Sequence, residues 1–245
     1  MIILGFDALD FKMVKKFNCK NMMQLECGKT DITGFALERT VVLWASFLTG
    51  KNMENSIPVK GQWEFALPKN QTFFKFFDII ETIDVPAFSF RLGRHRKEHK
   101  LLAEFFENEN KIEEFDKVVW GTHKDNKKDF IKVVKRACSN GELYRSTMVM
   151  GYFNLADAIG HLSFGDEKKM MKVYDELEKL TGLVKKITDK REEIILVVSD
   201  HGMKSVGRFG DHTKNGFYSF NKKLGVGTPK ITDFFRIIKS FAEGS

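Results

Sequence analysis

The run Ile194-Ile-Leu-Val-Val198, followed at once by Ser199-Asp-His-Gly202, constrains this chain more than any other stretch. Five consecutive aliphatic residues are too few for an independent helix and predict a strand covered on both faces, as in a parallel sheet. Open α/β sheets place their chemistry at the carboxyl ends of such strands. A carboxylate and an imidazole therefore arrive together where a ligand would sit, and Gly202 lets the backbone turn away. Alone, Asp200-His201-Gly202 reads more simply as a polar turn, so the question is whether other strand ends supply partners.

They do. Ile2 to Phe6 reads as another buried strand and also ends in an acid, Asp7, while Asp10 is assigned to capping the next helix. The apolar spacing after Thr40 predicts a helix closed by Gly50. The Thr40 hydroxyl then stands at or near a helix start, where it serves as an N-cap or where an anion is stabilised. The strand Met148 to Phe153 runs into Asn154-Leu-Ala-Asp-Ala-Ile-Gly-His161, and one helical turn brings Asp157 and His161 onto one face. The glycine-flanked loop Gly210 to Gly216 adds His212, and Asp166 is predicted to cap a long helix leading into residue 194.

Asp7, Thr40, Asp157, His161, Asp200, His201 and His212 form the candidate set. Carboxylates, imidazoles and one hydroxyl, with no thiolate, suit two divalent ions such as zinc or manganese. One histidine at a strand end is ordinary, but each of these three has an acid within four positions, which packing does not explain. His95 and His99, four apart among arginines and lysines, are set aside, as is His123, which has no recognisable partner.

Elsewhere the spacing predicts short strands at 31–37, 85–90 and 117–120, helices near 73–80, 101–108, 128–138 and 231–241, and a long loop or small cap over 51–70. The 245 residues suit one catalytic domain, with 51–110 a variable cap region. An apolar fraction of 42% with 30% charged residues excludes collagen-like and disordered classes. The amino terminus lacks a signal-peptide core and no segment approaches membrane-spanning length, so a cytoplasmic location is expected. Cys19, Cys27 and Cys138 are expected as reduced thiols. The net charge of +7 invites nucleic acid, but the lysines alternate with glutamates as on solvated helix faces. The basic block Arg91 to Lys100 reads as a solvated loop and helix start, which leaves nucleic acid unfavoured and the oligomeric state open.

In this order the motifs resemble the alkaline phosphatase superfamily, and within it the type I phosphodiesterase/nucleotide pyrophosphatase branch. The likeness rests on Gly5-Phe-Asp7, Thr40 with Thr49-Gly50, Asp157-Ala-Ile-Gly-His161, Ser199-Asp-His-Gly-Met203 and Gly210-Asp-His212. It implies a three-layer α/β/α sandwich with a largely parallel central sheet. It also implies one metal ion at Asp7, Thr40, Asp200 and His201, another at Asp157, His161 and His212, and Thr40 as the nucleophile that forms a phosphothreonine. The implied activity is hydrolysis of a phosphodiester or nucleotide pyrophosphate in a small substrate. A phosphomonoesterase, or a catalytically silent phosphate or nucleic-acid binder of the same fold, are the alternatives. The sulfatase signature Cys-x-Pro-x-Arg is absent around Thr40. Where diesterase relatives carry a phosphate-binding asparagine, this chain reads Val59-Lys-Gly-Gln-Trp63, with Lys60 or Gln62 the candidate substitute and neither counted as catalytic. The segment from Gly202 to His212 is also short for the family, and a phosphoglycerate mutase would need a further domain.

Overall fold

The computed structural model describes residues 1–105, 111–139, 147–189 and 193–244. Its strands are β1 (Ile2–Phe6), β2 (Glu26–Lys29), β3 (Ile79–Ile83), β4 (Thr147–Phe153), β5 (Ile195–Val198), β6 (Gly202–Val206), β7 (Phe209–Thr213) and β8 (Phe217–Phe220). Its α-helices are α1 (Phe11–Lys16), α2 (Lys20–Met23), α3 (Thr40–Thr49), α4 (Leu92–Phe105), α5 (Ile112–Ser139), α6 (Leu155–Ser163), α7 (Glu167–Thr188) and α8 (Phe234–Ala242). Six strands form the central sheet in the order β2-β8-β5-β1-β4-β3, and β6 pairs with β7 as a separate two-stranded ribbon. Strands β5, β1, β4 and the edge strand β3 run parallel, β8 pairs antiparallel with β5, and β2 at the other edge pairs antiparallel with β8. Helices on both faces complete the three-layer α/β/α sandwich, an alkaline phosphatase-like fold.

Strand period splits the core in two. Ile2, Leu4, Phe6, Val149, Phe153, Ile195 and Val197 face a layer that includes Phe115 and Phe130 of α5, Ile159 of α6 and Leu177 of α7. Ile3, Met148, Met150, Tyr152, Leu196 and Val198 face α3, α8 and the irregular 57–90 segment. All ten residues of α3 are buried, and Gly50 ends it at φ 69° with its N–H on the Ser46 carbonyl. A Cβ on Gly5 would lie 2.7 Å from Cη2 of Trp44. The bare glycine lets that indole lie on the sheet and sets the depth of the helix that begins at Thr40.

The expected caps are present, with Asp10 accepting from Met13 N–H and Asp166 from Lys169 N–H. Several local expectations are corrected. No strand spans 31–37, where Asp31 makes one isolated bridge to Lys230. The helix expected at 73–80 is a 3₁₀ turn, Phe73–Phe76, followed by β3. The strand expected at 85–90 is a turn, because Asp84 and Ala87 adopt φ of 62° and 58° and break any extended run. Residues 117–120 lie inside α5, where Phe115, Val119, Phe130 and Val134 keep helical spacing toward the core. Helix α4 starts at Leu92, earlier than expected, and the end expected at 106–108 lies outside the described residues. The basic block is therefore part of a packed helix, with Arg91 and Arg94 both paired to Asp129 of α5. Cys19, Cys27 and Cys138 form no disulfide with one another, and no described helix is long and apolar enough to cross a membrane.

Candidate active site

Strands β1 and β5 are neighbours in register, with Gly5 opposite Val198. Asp7 and Asp200-His201 therefore leave the sheet side by side. His201 Nε2 lies 3.2 Å from Asp7 Oδ1 and 3.5 Å from Asp200 Oδ2, and all three side chains are buried. His201 Nδ1 is 3.1 Å from the Gly202 carbonyl, which can only accept, so in the neutral ring Nδ1 carries the proton and Nε2 is the nitrogen turned toward the acids. Ser199 Oγ accepts from Leu9 N–H at 2.8 Å and donates to the His201 carbonyl at 2.7 Å, locking the two strand-end loops together. The Tyr152 hydroxyl donates to Asp7 Oδ2.

Asp7 Oδ1, both oxygens of Asp200 and His201 Nε2 have no hydrogen-bond partner. Burial, joined by the charges of Asp7 and Asp157, pushes the Asp200 carboxyl well above the usual carboxylate range. Burial lowers His201, but the Asp7 carboxylate outweighs it and leaves the imidazole raised. Buried polar atoms without partners are costly. A divalent cation among these oxygens and this nitrogen removes that cost, so the donor set fits a metal.

The other group forms where α6 meets the β6–β7 ribbon. His212 Nε2 lies 3.1 Å from Asp157 Oδ1 and 3.2 Å from His161 Nε2, and His161 Nε2 is 3.3 Å from Asp157 Oδ1. His212 Nδ1 meets the Glu38 carbonyl at 3.1 Å, which again turns Nε2 toward the cluster and ties it to the start of α3. Burial disfavours the Asp157 carboxylate, but His161 and His212 hold it well below the usual range. Asp157 in turn raises His161 against the opposing effect of burial.

His212 was expected in a loop and instead lies on β7, paired with Met203 across the ribbon. Gly202 is needed for close approach, because a Cβ there would meet the Asn215 carbonyl oxygen at 2.2 Å. The His201 and His212 rings stack at 3.8 Å and 30°. Ligand-capable atoms of Asp157, His201 and His212 lie within 4.8 Å of one another, as do those of Asp7, Asp200 and His201. His201 thus stands between the two groups, whereas the resemblance assigns it to the first alone.

Thr40 is the first residue of α3 and 9% exposed. It lines a pocket of about 260 Å³ together with Asp157, His161 and His212. Gln62, Trp63, Phe90, His95, Glu98, His99 and Tyr152 also line it, and Lys60 does not. Arg39, just before α3, donates to the carbonyls of Ile57 and Pro58 and to Gln62 Oε1, which draws this segment against the helix start. Its hold on the oxygen leaves the Gln62 amide nitrogen as the remaining donor.

The three histidines set aside in the sequence all have partners, near in the chain for His95 and distant for His99 and His123. His95 is buried, with Nε2 2.7 Å from Asp84 Oδ2 and Nδ1 3.4 Å from Glu98 Oε2. Burial lowers its pKa, but the two acids overcome that and raise it to about 9. Glu98 also accepts from Asn154, which precedes α6. The His99 ring packs on Trp63, and His123, buried within α5, meets Glu176 at 3.1 Å.

Sheet order and layer arrangement match solved structures of an alkaline phosphatase-like fold. An engineered form of TAB5 alkaline phosphatase, an enzyme from an Antarctic bacterium, shares 11% identity and superimposes with a TM-score of 0.60, covering 99% of this chain and 97% of the other. A sulfatase from Pseudoalteromonas sp. shares 9%, with a TM-score of 0.58 over 98% of this chain and 67% of the other. Murine ectonucleotide pyrophosphatase/phosphodiesterase 5 aligns at 11% identity and TM-score 0.47, covering 85% of this chain and 58% of its own. No curated protein sequence matches. The family model of type I phosphodiesterase/nucleotide pyrophosphatase matches residues 82–218, more than half of the chain. The chain belongs to that family. The matched segment contains Asp157, His161, Asp200, His201 and His212, and Asp7 and Thr40 precede it.

Proposed function

We propose that the protein is a metal-dependent phosphoester hydrolase, with phosphodiesters or nucleotide pyrophosphates as leading substrates and Thr40 as nucleophile. The observation that carries this reading is the convergence of two donor groups, Asp7/Asp200/His201 and Asp157/His161/His212, beside a pocket that Thr40 lines. Asp7, Thr40, Asp200 and His201 would hold one divalent ion and Asp157, His161 and His212 the other, zinc first and manganese second. Such ions supply Lewis-acid polarisation of phosphoryl oxygens and favour ionisation of a coordinated hydroxyl.

The remaining chemistry belongs to the chain. Thr40 Oγ1 forms a bond to phosphorus as the bond to the leaving oxygen breaks, giving a phosphothreonine and an alcohol or nucleotide. Its place at the start of α3 directs helix amides and dipole toward the negative charge gathering there. The Gln62 amide, oriented by Arg39, is set to donate to a phosphoryl oxygen. Water then attacks the phosphothreonine, and Thr40 leaves with its hydroxyl restored.

Purified protein supplied with zinc or manganese is offered bis- and mono-nitrophenyl phosphate. Turnover of the diester alone supports the proposal, and turnover of the monoester alone replaces it with a phosphomonoesterase. Metal uptake with neither reaction leaves a silent phosphate binder and sinks the hydrolase.

A further inference from the structure

Tyr152 belongs to no part of the proposed chemistry, yet it touches every element that positions it. It sits on β4 opposite Gly5, two residues before Asp7 on β1, and the ladder continues as Asp7 N–H donates to the Phe153 carbonyl at 3.0 Å. Its ring meets Trp44 of α3 edge-on at 5.6 Å and Phe90 at 6.3 Å. The side chain is 2% exposed and borders the pocket beside Thr40 and Asp157. Its hydroxyl is spent on one acceptor, Asp7 Oδ2, while Asp7 Oδ1 is left facing His201 Nε2.

A buried phenol has a single proton to donate, and any backbone carbonyl would satisfy it. Here it selects which oxygen of Asp7 is engaged and which remains turned toward the ligand group. Outer hydrogen bonds of this kind fix ligand orientation, and their loss typically lowers metal affinity roughly 10- to 100-fold. We infer that Tyr152 is a positioning residue for the buried ion, holding Asp7 by one oxygen so that the other stays turned toward the ligand group. This inference rests on the two-metal reading above.

Tyr152→Phe removes the hydroxyl and keeps the ring between Trp44 and Phe90. Chelator-stripped protein is titrated with Zn²⁺ against a chromophoric competitor, and the Co²⁺-loaded forms are compared by absorption. Wild type is expected to take two ions, and Y152F to bind one of them about 10- to 100-fold more weakly with a shifted Co²⁺ band. Trp44→Phe disturbs the same packing without touching the hydroxyl and is expected to keep both affinities within about twofold of wild type. Equal loss in W44F and Y152F reduces Tyr152 to packing and overturns the inference. Two wild-type affinities in folded Y152F overturn it alone, whereas a wild type that takes up no ion overturns the two-metal reading as well. The unsubstituted chain carrying 3-fluorotyrosine gives a readout free of folding effects: the Tyr152 ¹⁹F resonance must move when Zn²⁺ is added, and a resonance that stays fixed counts against the role.

Discussion

The two donor groups are built from the same residue types and held in opposite ways. Asp7, Asp200 and His201 stand at the ends of neighbouring parallel strands with side chains no more than 1% exposed. The sheet fixes their separation whether or not an ion is present, and four of their donor atoms have no partner. Asp157, His161 and His212 come from a helix and a two-stranded ribbon, with side chains 16 to 30% exposed, and they hydrogen-bond to one another. An acid held between two imidazoles is satisfied internally, while two carboxylates forced together in the core are not. On the two-metal reading proposed above, the buried group would call for a cation, and the open group would exchange one for protons and water.

Several measurements can break this contrast. Thr40→Ala has the largest expected effect, a turnover loss of about 10³-fold or more with metal still bound, because the carboxylates and histidines of both groups remain. Loss of both ions in that variant would make the hydroxyl, rather than the sheet, the organiser of the site. Next in size, each group should fail separately. Asp200→Asn should lose the buried ion yet melt at a higher temperature than wild type once both are stripped, since it removes a buried carboxyl group whose two oxygens have no hydrogen-bond partner beside Asp7. His212→Ala should lose only the open ion and gain no stability when stripped. Identical melting shifts in the two variants would erase the distinction. Graded addition of a chelator to wild type should likewise release the exposed ion first, read as two separate steps in metal content.

Gly5→Ala acts at one remove. Its Cβ would sit 2.7 Å from the Trp44 ring, so the indole or the helix that carries it must shift, and overpacking of this kind costs about 1–3 kcal/mol. Denaturant midpoints measure the loss. Turnover falling further than the folded fraction explains would show that the depth of α3 matters to Thr40.

The same contrast accounts for what could be read from the chain. Local apolar runs ending in an acid, Ile2–Phe6 before Asp7 and Ile195–Val198 before Asp200, carry the buried group almost complete, because a doubly covered parallel strand needs an unbroken hydrophobic run. The open group was legible in its residues and less so in its structure. Asp157 and His161 share a helical turn, but His212, read as part of a glycine-flanked loop, lies on Phe209-Gly-Asp-His-Thr213, a largely half-buried ribbon strand without the alternation that marks a strand. Phe73-Phe-Lys-Phe-Phe77 followed by Asp78-Ile-Ile80 is apolar at nearly every position, so its period could not separate a 3₁₀ turn from β3. Tyr152 and His95 stayed hidden for another reason. Their partners, Asp7 and Asp84, lie far along the chain or on a left-handed residue, and no local spacing encodes such pairings.

The smallest expected effect concerns the frame behind the open group. His95 links Asp84 to Glu98, and Glu98 accepts from Asn154 at the start of the helix bearing Asp157 and His161. Burial alone would lower the pKa of His95, but the two acids raise it from 6.5 to about 9. A histidine with a raised folded pKa binds its proton more tightly in the native state. Its contribution is therefore full below about pH 6.5 and is lost as pH rises through about 9, an upper limit of about 3 kcal/mol. Urea denaturation of the metal-free protein from pH 6 to 9.5 should show this decline, and His95→Gln should flatten it while lowering stability most at the acid end. A decline of equal slope in H95Q would assign the pH dependence to other groups and leave His95 a neutral spacer. Should the slope vanish as expected, Zn²⁺ titrations across the same range would show whether the open ion loosens while the buried one, fixed by the sheet, holds.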